Sequence, residues 1–480
     1  MTDLVPFADP FSANEAAWHR ASQWGREPRM NELEALMWRS ERHPRRSSTL
    51  CAVMMLDCAP EWERLRAAHD WVSQLVPRMR SRVLEPAAPV GPPAWVPDAA
   101  FDLDYHLRRV QLPEPGGMPE LLTFAQGAAM TPFDRQRALW EATLVEGLPD
   151  GKAAYCLKLH HSLTDGLGSI QLLSLIQSRT SEHTPKKPVP SAPGPALAVD
   201  ARALAAAELG EQALGVAATA AGLATAGARA LTRPAGAVGS ALRFTRSMRR
   251  VLSPPPAAGS PLFRGRTGMS WRVGVFDCPL ADLKAAARAA GGSVNDAYIA
   301  VLTGGLRRYH EAHGLNIDEL PMAIPVSLRK VDDPMGGNKF SGALFAAPVG
   351  IADPAERIAT IRGIVLSLRA EPALDAVGML APVVNRLPSA FTSAAEKLTA
   401  AADVSASNVP GIAQQTYMAG AKVEAVYPFG PLPGVAVMAG MVSHVGRCCV
   451  GLNMDGSVIG DPDVLVGSMR EGMAEVLALA

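Results

Sequence analysis

The sequence has no excess of charge of either sign: 46 Lys and Arg balance 46 Asp and Glu across 480 residues. A neutral chain gives no whole-protein case for nucleic-acid binding, so any basic surface must be local. None of the six cysteines (Cys51, Cys58, Cys156, Cys278, Cys448, Cys449) forms a CxxC pair. A structural zinc site and a disulfide framework are therefore not expected, and the chain reads as reduced and intracellular. Met1 to Pro6 hold neither the basic nor the apolar region of a secretory signal. Gln212 to Ala228 is uncharged, but it is mostly Ala, Gly and Thr. It falls short of the ~20 strongly apolar residues that a membrane span requires. There is no fixed-period repeat. The expected protein is cytoplasmic, either soluble or peripheral at the inner membrane or lipid droplets.

What is present is ample apolar material, 48% hydrophobic against 19% charged residues, enough for a large core. Apolar periodicity predicts helices at Asn31–Trp38, Glu61–Val76, Pro119–Met130, Leu280–Ala290, Asn295–His310, Pro354–Leu368 and Pro462–Leu479. Asp353 and Asp461 precede Pro354 and Pro462, which suits a cap followed by the first helical position. Strands are expected at Thr49–Leu56, Trp140–Val145, Ala153–Leu159, Trp271–Phe276, Pro321–Ser327 and Gly342–Val349. A hairpin from Val435 to Met454 would turn near Gly446. Pro86 to Pro97 carries five prolines and reads as loop. Strands and helices interleave, which predicts α/β layers.

Three regions follow: a first lobe over 1–185, an Ala/Gly/Arg-rich helical linker over 186–265, and a second lobe over 266–480. Arg229, Arg233, Arg243, Arg246, Arg249 and Arg250 give the linker a basic cluster. Its helix face can meet an anionic membrane or simply be solvated.

The chemistry concentrates where the alternating stretch Ala153–Leu159 stops at His160-His161, with Asp165-Gly166 next and a helical pattern behind. A histidine at a strand end can accept a proton from a hydroxyl at pH 7 and return it to a leaving group. Gly166 can take backbone angles that other residues resist. The bland alternative is a pair of half-buried polar residues on a loop. The full HHxxxDG pattern arises by chance on the order of once in a thousand such chains, which favours function. Metal binding is disfavoured, because adjacent residues of a strand point to opposite faces and no helical H-x-x-x-H pair supplies a further ligand.

HHxxxDG resembles the signature of the chloramphenicol-acetyltransferase-like superfamily, and the surrounding residues are similar to its bacterial wax ester synthase/diacylglycerol acyltransferases. Phe101-Asp102-Leu103-Asp104-Tyr105-His106-Leu107-Arg108-Arg109 resembles FDLDYHxRR, and Asp134 to Glu141 resembles DRxRPLWE with Ala138 in place of Pro. Asn295-Asp296, Pro325 to Arg329, Gly337-Asn338 and Ser407 to Gly411 resemble ND, PVSLR, GN and SNVPG, in the family's order.

The resemblance implies two α/β lobes of that fold with a substrate channel between them. It implies an acyl-CoA-dependent O-acyltransferase that esterifies diacylglycerol, a long-chain alcohol, or both, without metal or redox cofactor. Its partners would be acyl-CoA and a lipid alcohol. His161 would be the general base and His160 would support it. Asp165 would be structural, paired with an arginine for which Arg329 is the candidate, and Gly166 would serve the backbone. Asn295 is a residue type that caps helices; the resemblance has it face the reaction centre, and both can hold. Asn408 would line the channel. Two rivals remain: an enzyme of the same fold using an amine acceptor, as condensation domains do, and a lipid-binding relative without turnover.

Overall fold

The protein is described here from a computed structural model covering residues 23–43, 46–88, 90–183, 200–211, 257–329, 335–371 and 401–480, with Ser247, Gly378, Ala381, Pro382 and Asn385. The basic linker cluster and nearly all of the Ala-rich stretch lie outside the described residues; 201–211 is helical, as expected.

In chain order the first half forms α1 (Glu32–Ser40), β1 (Thr49–Leu56), α2 (Trp62–Leu75), β2 (Ser81–Leu84), β3 (Ala94–Pro97), β4 (Leu107–Gln111), α3 (Met118–Met130), β5 (Trp140–Glu146), β6 (Ala153–His160) and α4 (Gly166–Ile176). The second half forms β7 (Trp271–Pro279), α5 (Leu280–Ala289), α6 (Val294–Ala312), β8 (Glu319–Ser327), β9 (Phe340–Pro348), α7 (Pro354–Arg369) and β10 (Val404–Val409). It continues with β11 (Tyr417–Met418), β12 (Ala421–Phe429), β13 (Val437–His444), β14 (Arg447–Asp455) and α8 (Pro462–Leu477).

Two six-stranded sheets result, ordered β11-β12-β1-β6-β5-β4 and β7-β14-β13-β10-β8-β9, with β2 and β3 as a separate ribbon. Local sequence accounts for many element ends. Asn31 caps α1 through the Glu34 amide, and the Glu34 carboxylate answers on the Asn31 amide, a reciprocal pair that satisfies two otherwise orphaned donors. Asp353 caps α7 in the predicted way. The β13–β14 hairpin turns at Val445 and Gly446, both at positive φ, as a tight two-residue connection demands.

Two expectations are corrected. Asp461 makes no side-chain cap on α8; its carboxylate instead takes the Tyr309 hydroxyl at 2.8 Å and pairs with His313 at 3.0 Å. Residues 94–97 form a strand, not a loop, because the apolar run Ala94-Trp95-Val96 finds a partner in β2 and Pro97 sits at the strand's end, where the missing donor costs least. The sheet topology adds a feature that the sequence does not assign. β12 leaves the second half and pairs antiparallel with β1, from Cys51 opposite Phe429 to Leu56 opposite Val423. The first sheet is therefore completed by the second half of the chain.

The two sheets also touch at backbone level. A Cβ on Gly451 of β14 would come within 2.0 Å of the Pro428 carbonyl oxygen in β12. A shared core joins them, with Cys51, Val53, Cys156, Tyr427 and Phe429 from the first sheet packing with Trp271 and Val275 from the second. Every residue of β6 is buried, so this central strand is covered on both faces and delivers its end, His160, to the interior.

Candidate active site

The site is built where β6 ends and α4 begins. Asp165 caps α4, accepting the Gly168 amide at 2.8 Å. Its other carboxylate oxygen takes Arg329 Nε at 3.2 Å and Nη2 at 2.8 Å. Arg329 follows β8, so this ion pair ties the first half of the chain to the second. The same guanidinium reaches the carbonyls of Gly336 and Gly337 at 2.8 and 2.7 Å. Thr164 and Gly337 form a parallel bridge, and the Asp165 amide donates to the Gly337 oxygen at 3.2 Å. The loop of residues 335–339 is thereby laid along the histidine motif.

Gly166 is required for space rather than for backbone angle. It is not among the positive-φ glycines, but a Cβ there would lie 2.8 Å from Val409 Cγ2. Val409 ends β10, in the segment that resembles SNVPG.

The two histidines are held very differently. His160 has no exposed surface. Its Nδ1 accepts the Ser162 amide at 3.1 Å, and its Nε2 lies 2.8 Å from Glu41 Oε2. Trp38 and Phe133 close on the ring in T-shaped contacts. Burial alone would raise the Glu41 carboxyl, but its contact with His160 and a bond from the Ser48 amide bring it below its ordinary range. His161 is only half-buried. Its amide donates to the Ser48 carbonyl at 2.7 Å, and its ring leans on Phe340 at 5.4 Å between centroids. Its Nδ1 lies 3.0 Å from Asn338 Oδ1, while Asn338 Nδ2 donates back to the His161 carbonyl at 2.8 Å. Desolvation pushes the His161 pKa below its ordinary value, opposed first by a hydrogen bond to the residue's own backbone and then by Asp165 and the Asn338 bond. The ring is therefore neutral at pH 7 and able to accept a proton.

Asn295 does not cap α6. Ser293 does, in a reciprocal pair with the buried Asp296, and Asn295 is the second helical residue. Asn408 Nδ2 approaches Asn295 Oδ1 at 3.5 Å, so these two motif residues meet each other across α6 and β10. Trp140 and His106 are architectural: His106 stacks on Trp140 and Phe101, and its Nδ1 lies 2.6 Å from the Trp140 carbonyl. Ala138 is buried, and the turn after it is held by the Trp140 amide on the Ala138 oxygen.

Sequence reasoning missed Glu34, Arg78 and Glu41. Glu34 and Arg78 are buried and lie behind Asn338; Glu41 lies behind His160. In the sequence Glu34 reads only as an early helical acid. Its partner Asn338 is remote in the chain, and no local pattern joins them.

The comparisons agree with this architecture. Residues 30–298 match the wax ester synthase/diacylglycerol acyltransferase catalytic domain, and residues 336–476 match the C-terminal domain of the same family. A Mycobacterium tuberculosis H37Rv protein, provisionally named a diacylglycerol O-acyltransferase, is 40% identical over 466 residues, covering 95% of this chain and 94% of the relative. The solved wax ester synthase/diacylglycerol acyltransferase from Marinobacter aquaeolei VT8 superposes with a TM-score of 0.63 at 21% identity, covering 93% of this chain and 98% of that one. The first condensation domain of the CDA synthetase superposes at 0.57 with 15% identity, covering 94% and 97%. With both of its domain models matched in order and a relative at 40% identity along nearly its whole length, the chain belongs to the wax ester synthase/diacylglycerol acyltransferase family.

Proposed function

We propose that the protein transfers a fatty acyl group from coenzyme A to a lipid alcohol, with His161 as the general base. Diacylglycerol would give triacylglycerol, and a long-chain alcohol would give a wax ester. The supporting observation is the contrast within the motif: His160 is enclosed with both ring nitrogens engaged, whereas His161 is half-open where the two halves of the chain meet.

In this reading His161 Nε2 takes the proton as the acceptor oxygen attacks the thioester carbonyl. The tetrahedral intermediate then collapses, the C–S bond breaks, and the imidazolium returns the proton to the coenzyme A thiolate. The transfer is redox-neutral and closes its proton balance on one ring. The lowered pKa suits the role, since a base must be unprotonated at working pH. Arg329 and Asp165 hold the loop that carries Asn338, and His160 holds the strand end. No helix among the described residues is long and apolar enough to cross a membrane; with a lipid acceptor, we place the enzyme at a cytoplasmic lipid surface, peripherally bound.

The test is turnover of labelled palmitoyl-CoA with diolein or hexadecanol. His161→Ala should lose ~10²–10⁴-fold in rate with an unchanged melting profile. Wild-type protein that forms no ester, or a variant that keeps more than about a tenth of the rate, refutes the reading.

A further inference from the structure

We infer that Glu34 and Asn338 are positioning residues that fix which ring nitrogen of His161 carries the proton; the functional consequence rests on His161 being the base. The Asn338 side-chain amide has a single consistent orientation. Its Nδ2 faces two acceptors, the His161 carbonyl at 2.8 Å and Glu34 Oε1 at 3.4 Å. Its Oδ1 is therefore the end 3.0 Å from His161 Nδ1. Turning the amide over would set its oxygen against two oxygens and its NH₂ against the ring. An amide oxygen only accepts, so Nδ1 of His161 bears the hydrogen and Nε2 bears the lone pair. The opposite tautomer would offer an N–H to the acceptor alcohol and could take no proton from it.

His160 supplies the internal contrast. There a backbone amide, that of Ser162, donates to Nδ1, so the hydrogen sits on Nε2 and points at Glu41. Adjacent histidines at one strand end thus hold opposite tautomers, and for His161 the Asn338 oxygen acts together with the residue's own backbone.

Asn338 is itself held. Its backbone amide donates to Glu34 Oε1 at 3.1 Å, and its carbonyl accepts Asn31 Nδ2 at 3.1 Å. Glu34, with 1% of its surface exposed, is fixed by the Asn31 amide at 3.1 Å and Arg78 Nη1 at 3.4 Å. That same Arg78 nitrogen donates to the Leu163 carbonyl, inside the motif, at 3.1 Å. The buried ion pair therefore braces the loop from one side and Asn338 from the other. Glu34 and Arg78 come from the first half of the chain and Asn338 from the second, so this brace on the ring forms only when both are seated.

The direct test is ¹⁵N spectroscopy of histidine-labelled, full-length protein, with the His161 signal assigned by its loss in His161→Ala. The expected result is the Nδ1–H tautomer in the wild type; an Nε2–H ring overturns the proposal whether or not His161 proves to be the base. In Asn338→Ala the preference for the Nδ1–H tautomer should weaken, and kcat should fall roughly 10–100-fold, as when an imidazole loses an orienting partner, with KM for acyl-CoA within about twofold. The acid limb of kcat/KM should move to lower pH, because Oδ1 also stabilises the imidazolium. Asn338→Asp keeps an acceptor and adds negative charge, so its acid limb should move to higher pH, and this variant decides the matter if Asn338→Ala does not fold. A purely structural role moves neither limb, and unchanged limbs would overturn the proposal. If His161→Ala keeps its activity while the wild-type tautomer is as expected, the base assignment fails and the lock stands.

Discussion

Each half of the molecule contains a histidine beside a serine and an acid, and the proposed active site takes only one of the two clusters. In the first lobe His160 and His161 are set among Ser162, Glu41 and Asn338. In the second, His310 Nε2 lies 2.7 Å from Ser260 Oγ, and the Ser260 amide donates to Asp403 Oδ2 at 2.5 Å. By residue type alone the second cluster looks the more catalytic. Yet His310 is fully buried and its Nδ1 is spent on the Leu306 carbonyl at 2.8 Å. Ser260 is also buried and accepts the Leu262 amide. This cluster anchors the start of the second lobe, with Arg266 on the far side of Asp403 at 2.8 Å. Exposure and a partner drawn from the other half of the chain separate the proposed site from this second cluster; composition does not.

Three measurements would sharpen or break that contrast. The largest effect is expected at the ion pair that crosses between the halves. Arg329→Ala leaves Asp165 buried without its main counter-charge and should cost about 3–5 kcal/mol, as removal of one partner of a buried pair does. Chemical denaturation measures it, and a loss below about 1 kcal/mol would mean the pair behaves like a surface bridge. Next comes acid sensitivity. His69 is buried against Tyr155, and burial lowers its pKa to about 4. The unfolded chain then binds the extra proton first, so stability is full above the unfolded value of 6.5 and is lost as pH falls from there towards 4. A shift of that size corresponds to roughly 3 kcal/mol; His69→Gln should flatten the pH dependence of unfolding in that window. The smallest effect is at the second cluster. Ser260→Ala orphans the His310 ring nitrogen and should cost about 1–3 kcal/mol, with unchanged turnover per folded molecule. A large loss of turnover there would dissolve the distinction between the clusters.

Much of this was legible in the sequence because it is local. The end of β6 at His160, the caps at Asn31 and Asp353, and the turn at Gly446 each need only neighbours within a few residues. The Asp165–Arg329 pair was anticipated through ordered motifs, not through local physics, since nothing near Asp165 specifies a partner beyond β8. The cap of α6 falls on Ser293 although the sequence carries the signal for it: Ser293, three residues ahead of Asp296, is a capping pair, and Asn295 competes for the role only because asparagine is itself a strong cap. Glu34 and Glu41 were invisible for a different reason. Their roles are set by hydrogen bonds to residues brought near by the fold, and a helical acid looks the same whether it faces water or an asparagine. The pairing of β12 with β1 was hidden in the same way, since an apolar strand does not announce which sheet it joins.

That pairing also governs the order of events during synthesis. Until the chain has been made as far as Phe429, β1 stands at an open edge with its hydrogen-bonding groups unmatched. At the ~5–20 residues per second of translation, the wait lasts roughly tens of seconds. Such an edge invites pairing with another chain. A nascent first lobe is therefore a natural client for a ribosome-associated chaperone, and a gene truncated before β12 should yield inclusion bodies rather than half an enzyme.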